Sequence, residues 1–238
     1  MTKSNLLKIA IPFILLIFSV PIYSQQNAIK IGLVDLLKIN LSYERAINTN
    51  QSINVNFAFY RPRSLPSFLV PDEIDDKSLK GRFFGYAIIP EYRFYFSKKD
   101  APRGFYLSTY LKYSNYSVKG SDIISGDLYT VKGSFYSLGL GAQLGAQWII
   151  SDAFTIDWYF FGLEFDRDVF ALKYSTDSES PDFQTVKNTV EAIYSGIPIL
   201  GPYLRKLTGI STGSNSIRAK VPLYLPDIRA GLSIGYAF

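Results

Sequence analysis

Hydrophobic and polar residues alternate along most of this chain. In residues 52–60, Ile53, Val55, Phe57 and Phe59 share one parity while Asn54, Asn56 and Ala58 share the other. A period of two sends successive side chains to opposite faces, so the segment predicts a strand with one apolar and one polar face. The pattern returns in 84–96, where Phe84, Tyr86, Ile88, Tyr92, Phe94 and Phe96 oppose Gly85, Ala87, Ile89, Glu91, Arg93 and Tyr95. In 105–116, Leu107, Leu111 and Tyr113 oppose Ser108, Lys112 and Ser114; in 138–148, Leu138, Leu140, Ala142, Leu144, Ala146 and Trp148 oppose Gly139, Gly141, Gln143, Gly145 and Gln147. In 154–165, Ile156, Trp158 and Phe160 oppose Asp157; in 228–238, Ile228, Ala230, Leu232, Ile234, Tyr236 and Phe238 oppose Arg229, Gly231, Ser233, Gly235 and Ala237. Two shorter runs, 28–34 and 38–47, complete eight predicted strands.

The connections alternate as well. Those at 48–51, 97–104 and 151–153 are short and turn-like, whereas 61–81, about 117–132 and about 166–226 are long and polar. Even strand number, short turns at one end and long loops at the other are the layout of a bacterial outer-membrane barrel. The polar face is rich in Gly, Ala and Ser, which suits a crowded interior better than a surface in water. The apolar face carries aromatics near strand ends (Tyr43, Tyr92, Phe94, Phe96, Phe105, Trp148, Phe154, Tyr236, Phe238), as interfacial girdles require. The prediction is an all-β fold: an eight-stranded antiparallel up-and-down transmembrane β-barrel with a long, partly helical last extracellular loop.

Parity then assigns the charges. Lys30, Glu44, Glu91, Arg93, Lys112, Asp157 and Arg229 fall on the lumen side, while Arg45 and Glu164 fall on the outer side at opposite rims. Charges buried in so narrow a barrel need partners, so a paired network filling the lumen is expected. The rival reading is a selective pore or a proton-handling carboxylate pair.

Residues 1–24 begin with Lys3 and Lys8, continue through an apolar stretch from Ile9 to Tyr23 and end at Ser24. That is the form of a Sec signal peptide; Pro12 and Pro21 interrupt it as a spanning helix. The remainder, 25–238, is read as the barrel. With the leader go two lysines and no acid, so the formal charge of +5 falls to +3, and no basic cluster in the sequence argues for nucleic acid.

The chain has no Cys and no His. Disulfides, thiolate nucleophiles, Cys/His zinc sites and imidazole acid/base groups are thereby excluded. No cofactor or metal site is legible, and the chain is read as non-enzymatic.

The NAIKIGLVDLL opening, SYERAI at 42–47, PEYRFYF at 90–96, LGAQW at 144–148 and the RAGLSIGYAF ending together resemble uncharacterised eight-stranded outer-membrane barrels of the OmpA/OmpX-like superfamily. They are most similar to a small barrel family known only as a domain of unknown function. The resemblance covers 27–165 and 227–238. It implies that Ile234, Tyr236 and Phe238 form the C-terminal signal read by the barrel-assembly machinery.

Within 166–226, Val186, Val190 and Ile193 recur at helical spacing, as do Leu200, Tyr203, Leu204 and Leu207, with Gly196 and Pro198 between the groups. Helices are predicted over 183–194 and 200–208, capping the barrel, lying on the outer leaflet or docking on an envelope protein. The expected role is structural, in surface interaction or as an accessory of an envelope complex, with outer-membrane lipid and the assembly machinery as partners. The alternatives are a narrow transporter for small or apolar molecules, which would need a gap between strands for lateral exit, and a periplasmic ligand-binding barrel.

Overall fold

The computed structural model describes residues 27–33, 38–64, 80–124, 126–178, 181–195 and 209–238. The predicted signal peptide (1–24), the second predicted helix (200–208) and most of the 61–81 link lie outside them. Among the described residues the elements are β1 (Asn27–Gly32), β2 (Lys38–Asn48), β3 (Gln51–Ser64), β4 (Lys80–Tyr95), β5 (Gly104–Ile124), β6 (Asp127–Ile150), β7 (Phe154–Ser175), α1 (Phe183–Ser195), β8 (Gly209–Thr212) and β9 (Ser216–Ala237).

Successive strands pair antiparallel from β1 to β7, β7 pairs with β9, and β9 pairs back with β1. The eight predicted strands therefore close into an up-and-down ring, and β8 is a short addition to the far end of β9. Main-chain bonds complete the closure: Asn27 N–H donates to Phe238 O at 3.0 Å and Phe238 N–H to Asn27 O at 2.9 Å. The tight turn between β6 and β7 puts Ser151 and Asp152 at φ 50° and 58°, the left-handed values that a short hairpin of matching twist demands.

Four of the strands run much further than the apolar alternation predicts. The expected 117–132 link is a continuation of β5 and β6, paired down to Ile124 and Asp127. The expected 166–226 loop is narrower: 166–175 belongs to β7, 216–226 belongs to β9, and α1 lies between. The reason is a change of phase. Along much of these extensions Tyr129, Val131, Leu172, Tyr174, Ile217, Ala219, Val221 and Leu223 point inward while Lys119, Lys132, Lys173 and Arg218 point outward, so a search for outward greasy residues passes over them.

The inward apolar residues of the extensions, Tyr129, Val131, Leu172, Tyr174, Ile217, Ala219, Val221 and Leu223, form one buried cluster with Val186 of α1. Asp182 caps the helix, accepting a hydrogen bond from Thr185 N–H at 3.0 Å. The amphipathic helix thus covers the concave face of the extended sheet.

Glu164 departs from its expected place. Leu144 pairs with Phe161 and Gly145 with Tyr159, so Phe160 is an extra residue in β7. The bulge turns Phe160 and Phe161 both outward and reverses the parity beyond them. Glu164 therefore points into the lumen, where it is buried.

Among the described residues the wall is thin along β9. On the side away from β7, β9 pairs with β1 at 233–237 and with β8 at 217–220, leaving 221–231 without a ladder partner among the described residues. Even-numbered residues of β9 present their main-chain groups to that side: Phe238 bonds Asn27, and Leu232 O accepts from Leu33 N–H. Pro222 and Pro226 are even-numbered, so their missing N–H groups fall on the unpartnered edge, where they break no ladder.

Candidate functional site

The chemistry of this chain is gathered inside the ring. Six of the seven predicted lumen charges form one network. Lys30 Nζ donates to Glu44 Oε2 at 2.5 Å, to Asp157 Oδ2 at 2.6 Å and to Gln147 Oε1 at 2.9 Å. Arg93 reaches Glu91 at 2.7 Å, Asp157 at 2.8 Å and Glu44 at 3.2 Å. Arg229 donates to Glu91 Oε1 at 2.7 Å and Gln143 Oε1 at 3.0 Å. Three bases face three acids, with Lys30, Glu44, Glu91, Arg93 and Asp157 all buried. Within a narrow interior such pairing is the condition under which charges can be held at all.

Neutral groups complete the layer. Ser52 and Tyr95 hydroxyls donate to Glu44 Oε1 at 2.5 and 2.6 Å, and the Tyr106 hydroxyl donates to Asp157 Oδ1 at 2.8 Å. The Arg93 guanidinium lies over the Tyr106 ring at 4.4 Å, and that of Arg229 over Tyr110 and Tyr159 at 4.9 and 4.7 Å.

These tyrosines explain the lumen glycines. Tyr106 is cross-strand from Gly145, Tyr110 from Gly141 and Tyr159 from Gly231. A Cβ at any of the three glycines would come within 2.4 Å of the facing ring. Small residues on the polar parity therefore make room for large ones on the neighbouring strand, and the interior is filled with side chains.

Lys112, the seventh predicted charge, stands apart. Its ammonium bonds Glu164, meets Asp166 at 2.7 Å and lies 3.6 Å from Asp227. Asp168, also buried, lies on the same inward row of β7. One ammonium thus faces an acid-rich end of the lumen, where Glu164 Oε2, Asp166 Oδ1 and Asp168 Oδ1 have no hydrogen-bond partner among the described residues. Carboxylate oxygens of Glu164, Asp166 and Asp227 lie within 4.8 Å of one another, with Lys112 as their shared cation.

Sequence reasoning missed this acidic end. Asp166 and Asp168 sit in the segment read as loop, Asp227 lies between that loop and the last predicted strand, and the bulge misplaced Glu164. It also passed over Gln143, Gln147, Tyr95 and Tyr106 as partners, although their parity was available. The three C-terminal residues Ile234, Tyr236 and Phe238 share the outer face of β9, with Tyr236 and Phe238 exposed and their rings stacked at 6.3 Å. Arg45 lies on the outer face beside the 48–51 turn, as parity predicts.

The fold and site define a closed antiparallel barrel with a charge-filled interior and an apolar exterior. The chain belongs to the family described as Protein of unknown function (DUF3575), whose model matches residues 10–178 and so runs through the end of β7. No curated protein matches it. Among solved structures, Acinetobacter baumannii CarO is similar with a TM-score of 0.37 and 7% identity, over 91% of this chain and 98% of that one. The architecture stands on the strand pairing alone.

Proposed function

We propose that this protein is a non-enzymatic outer-membrane barrel that acts structurally or through its surface, as an anchored scaffold or an accessory of an envelope complex. One observation carries the reading: the outward face of the ring is greasy while its interior is charged. Leu138, Leu140, Trp148, Trp158 and Phe165 are all exposed, at 55%, 62%, 44%, 49% and 73%. In water such a continuous apolar exterior would drive association, whereas hydrocarbon accepts it. A Sec leader at 1–24 fits the same location, and Ile234, Tyr236 and Phe238 fit recognition by the assembly machinery.

The make-up of the interior supports a filled lumen. Tyrosines and ion pairs occupy the axis, and without His or Cys the chain has no side chain of ordinary pKa near neutrality to serve as a general base. Fractionation tests the reading. The protein is expected in carbonate-washed outer membranes with heat-modifiable gel mobility, and in planar bilayers without reproducible conductance steps. Release with the soluble periplasm would refute the membrane placement, and stable steps would refute the filled lumen.

A narrow transporter is the second reading, favoured by the 221–231 edge of β9, which has no ladder partner among the described residues. A gap beside Asp227 and Arg229 would join the acidic end of the lumen to the outer leaflet. Cross-linking that edge to β2 through introduced cysteines would block such a path and leave a scaffold unaffected.

A further inference from the structure

The paired registers bring four cations into one line. Lys119 pairs with Lys132, Lys132 with Lys173, and Lys173 with Arg218. The row crosses β5, β6, β7 and β9 and ends opposite Ser211 of β8. Cross-strand partners share a face, and this is the convex face, since Val131, Leu172, Ile217 and Ala219, one step along each strand, are buried against the α1 side. Lys119, Lys132 and Arg218 are exposed and Lys173 half-buried.

The surroundings are as uniform as the row. On the same face each cation is flanked along its strand by Ser117 and Ser121, by Thr130 and Ser134, by Ala171 and Ser175, or by Ser216 and Lys220. No acidic residue occupies an outward position of these extensions among the described residues. Like charges placed directly opposite on a sheet oppose folding, so the row contributes nothing to stability as it stands. Its spacing is that of adjacent strands, about 4.8 Å, comparable with the repeat of a pyranose chain. Lysines and arginines to meet carboxylates, set among hydroxyls to meet sugar hydroxyls, complement a linear acidic saccharide laid across the strands.

We propose that the convex face of the extension binds an acidic polysaccharide through Lys119, Lys132, Lys173 and Arg218, the polymer running perpendicular to the strands. The inference rests on sheet register and is independent of the membrane reading, so either can fail alone.

The test uses the whole protein in detergent, titrated calorimetrically with oligogalacturonate, with dextran as the uncharged counterpart. Saturable binding of oligogalacturonate and none of dextran is expected, weakening as salt rises because surface charges are screened. Lys132→Ser combined with Lys173→Ser is expected to weaken binding about tenfold or more, and Arg167→Ser, off the row, by less than about twofold, as loss of direct contacts differs from loss of general attraction. Lys132→Glu, a second route to the same loss, guards against a poorly folded double variant; heat-modifiable mobility checks the fold of all three. Absence of saturable binding, equal binding by the row variants, or tighter binding of duplex DNA or inorganic polyphosphate than of oligogalacturonate would overturn the proposal.

Discussion

On β6, Leu138, Leu140 and Leu144 point outward while Gln143 and Gln147 point inward; a few residues earlier on the same strand, Thr130 and Lys132 point outward while Tyr129 and Val131 are buried. The same reversal occurs on β7 and β9, between Phe165 and Leu172 and between Ile228 and Leu223. One continuous sheet therefore carries two opposite polarities. Hydrogen bonding is common to both regions, so they differ in side-chain pattern: an apolar exterior below, a largely polar exterior above. The two regions also bury different things. The lower one holds an ion-pair layer at the axis, and the upper one holds an ordinary apolar core under a helix.

The comparison breaks first at the ion-pair layer. Glu44→Gln leaves Lys30 and Arg93 short of a negative partner and is expected to cost about 3–5 kcal/mol, the penalty of an uncompensated buried charge. Arg167→Gln, an outward cation of the extension, is expected to change stability by no more than about 0.5 kcal/mol. Urea unfolding of refolded barrel measures both, and equal effects would dissolve the distinction. A smaller effect separates the two exteriors. Leu140→Lys is expected to cost about 2–4 kcal/mol in vesicles if that residue faces mid-bilayer, and Thr130→Lys on the same strand about 0.5 kcal/mol or less. If the two lysines cost the same, the apolar exterior does not meet hydrocarbon. The smallest effect is local. Val186→Ala removes buried atoms from the upper core and is expected to cost about 1 kcal/mol, speeding amide exchange in α1 while leaving the lower ring's protection unchanged; exchange that rises equally in both would show a single cooperative core.

The lower ring was legible because its alternation is long and its phase uniform. Lys30, Glu44, Glu91, Arg93, Asp157 and Arg229 were assigned to the lumen by parity, and all six meet there. Glu164 was misplaced because a bulge adds one residue without leaving a mark in the pattern; only the adjacent Phe160 and Phe161, two consecutive outward aromatics, betray it. Asp166 and Asp168 were hidden because the outward apolar alternation of β7 fades beyond Phe165, so the end of the strand reads as polar loop, and Asp227 falls just ahead of the last alternating run. The basic row could not be read at all from the sequence. Its members are scattered from Lys119 to Arg218, with no two adjacent, and only strand register makes them neighbours.

The hydrogen bonds between Asn27 and Phe238 set an order of events. Synthesis delivers the first strand long before the last, and a ring whose seam joins the two cannot shut while any intermediate piece is still being made. Until then β1 is a lone ribbon edge. A seam of this kind makes closure a single late event, with the Asn27–Phe238 pair as its latch.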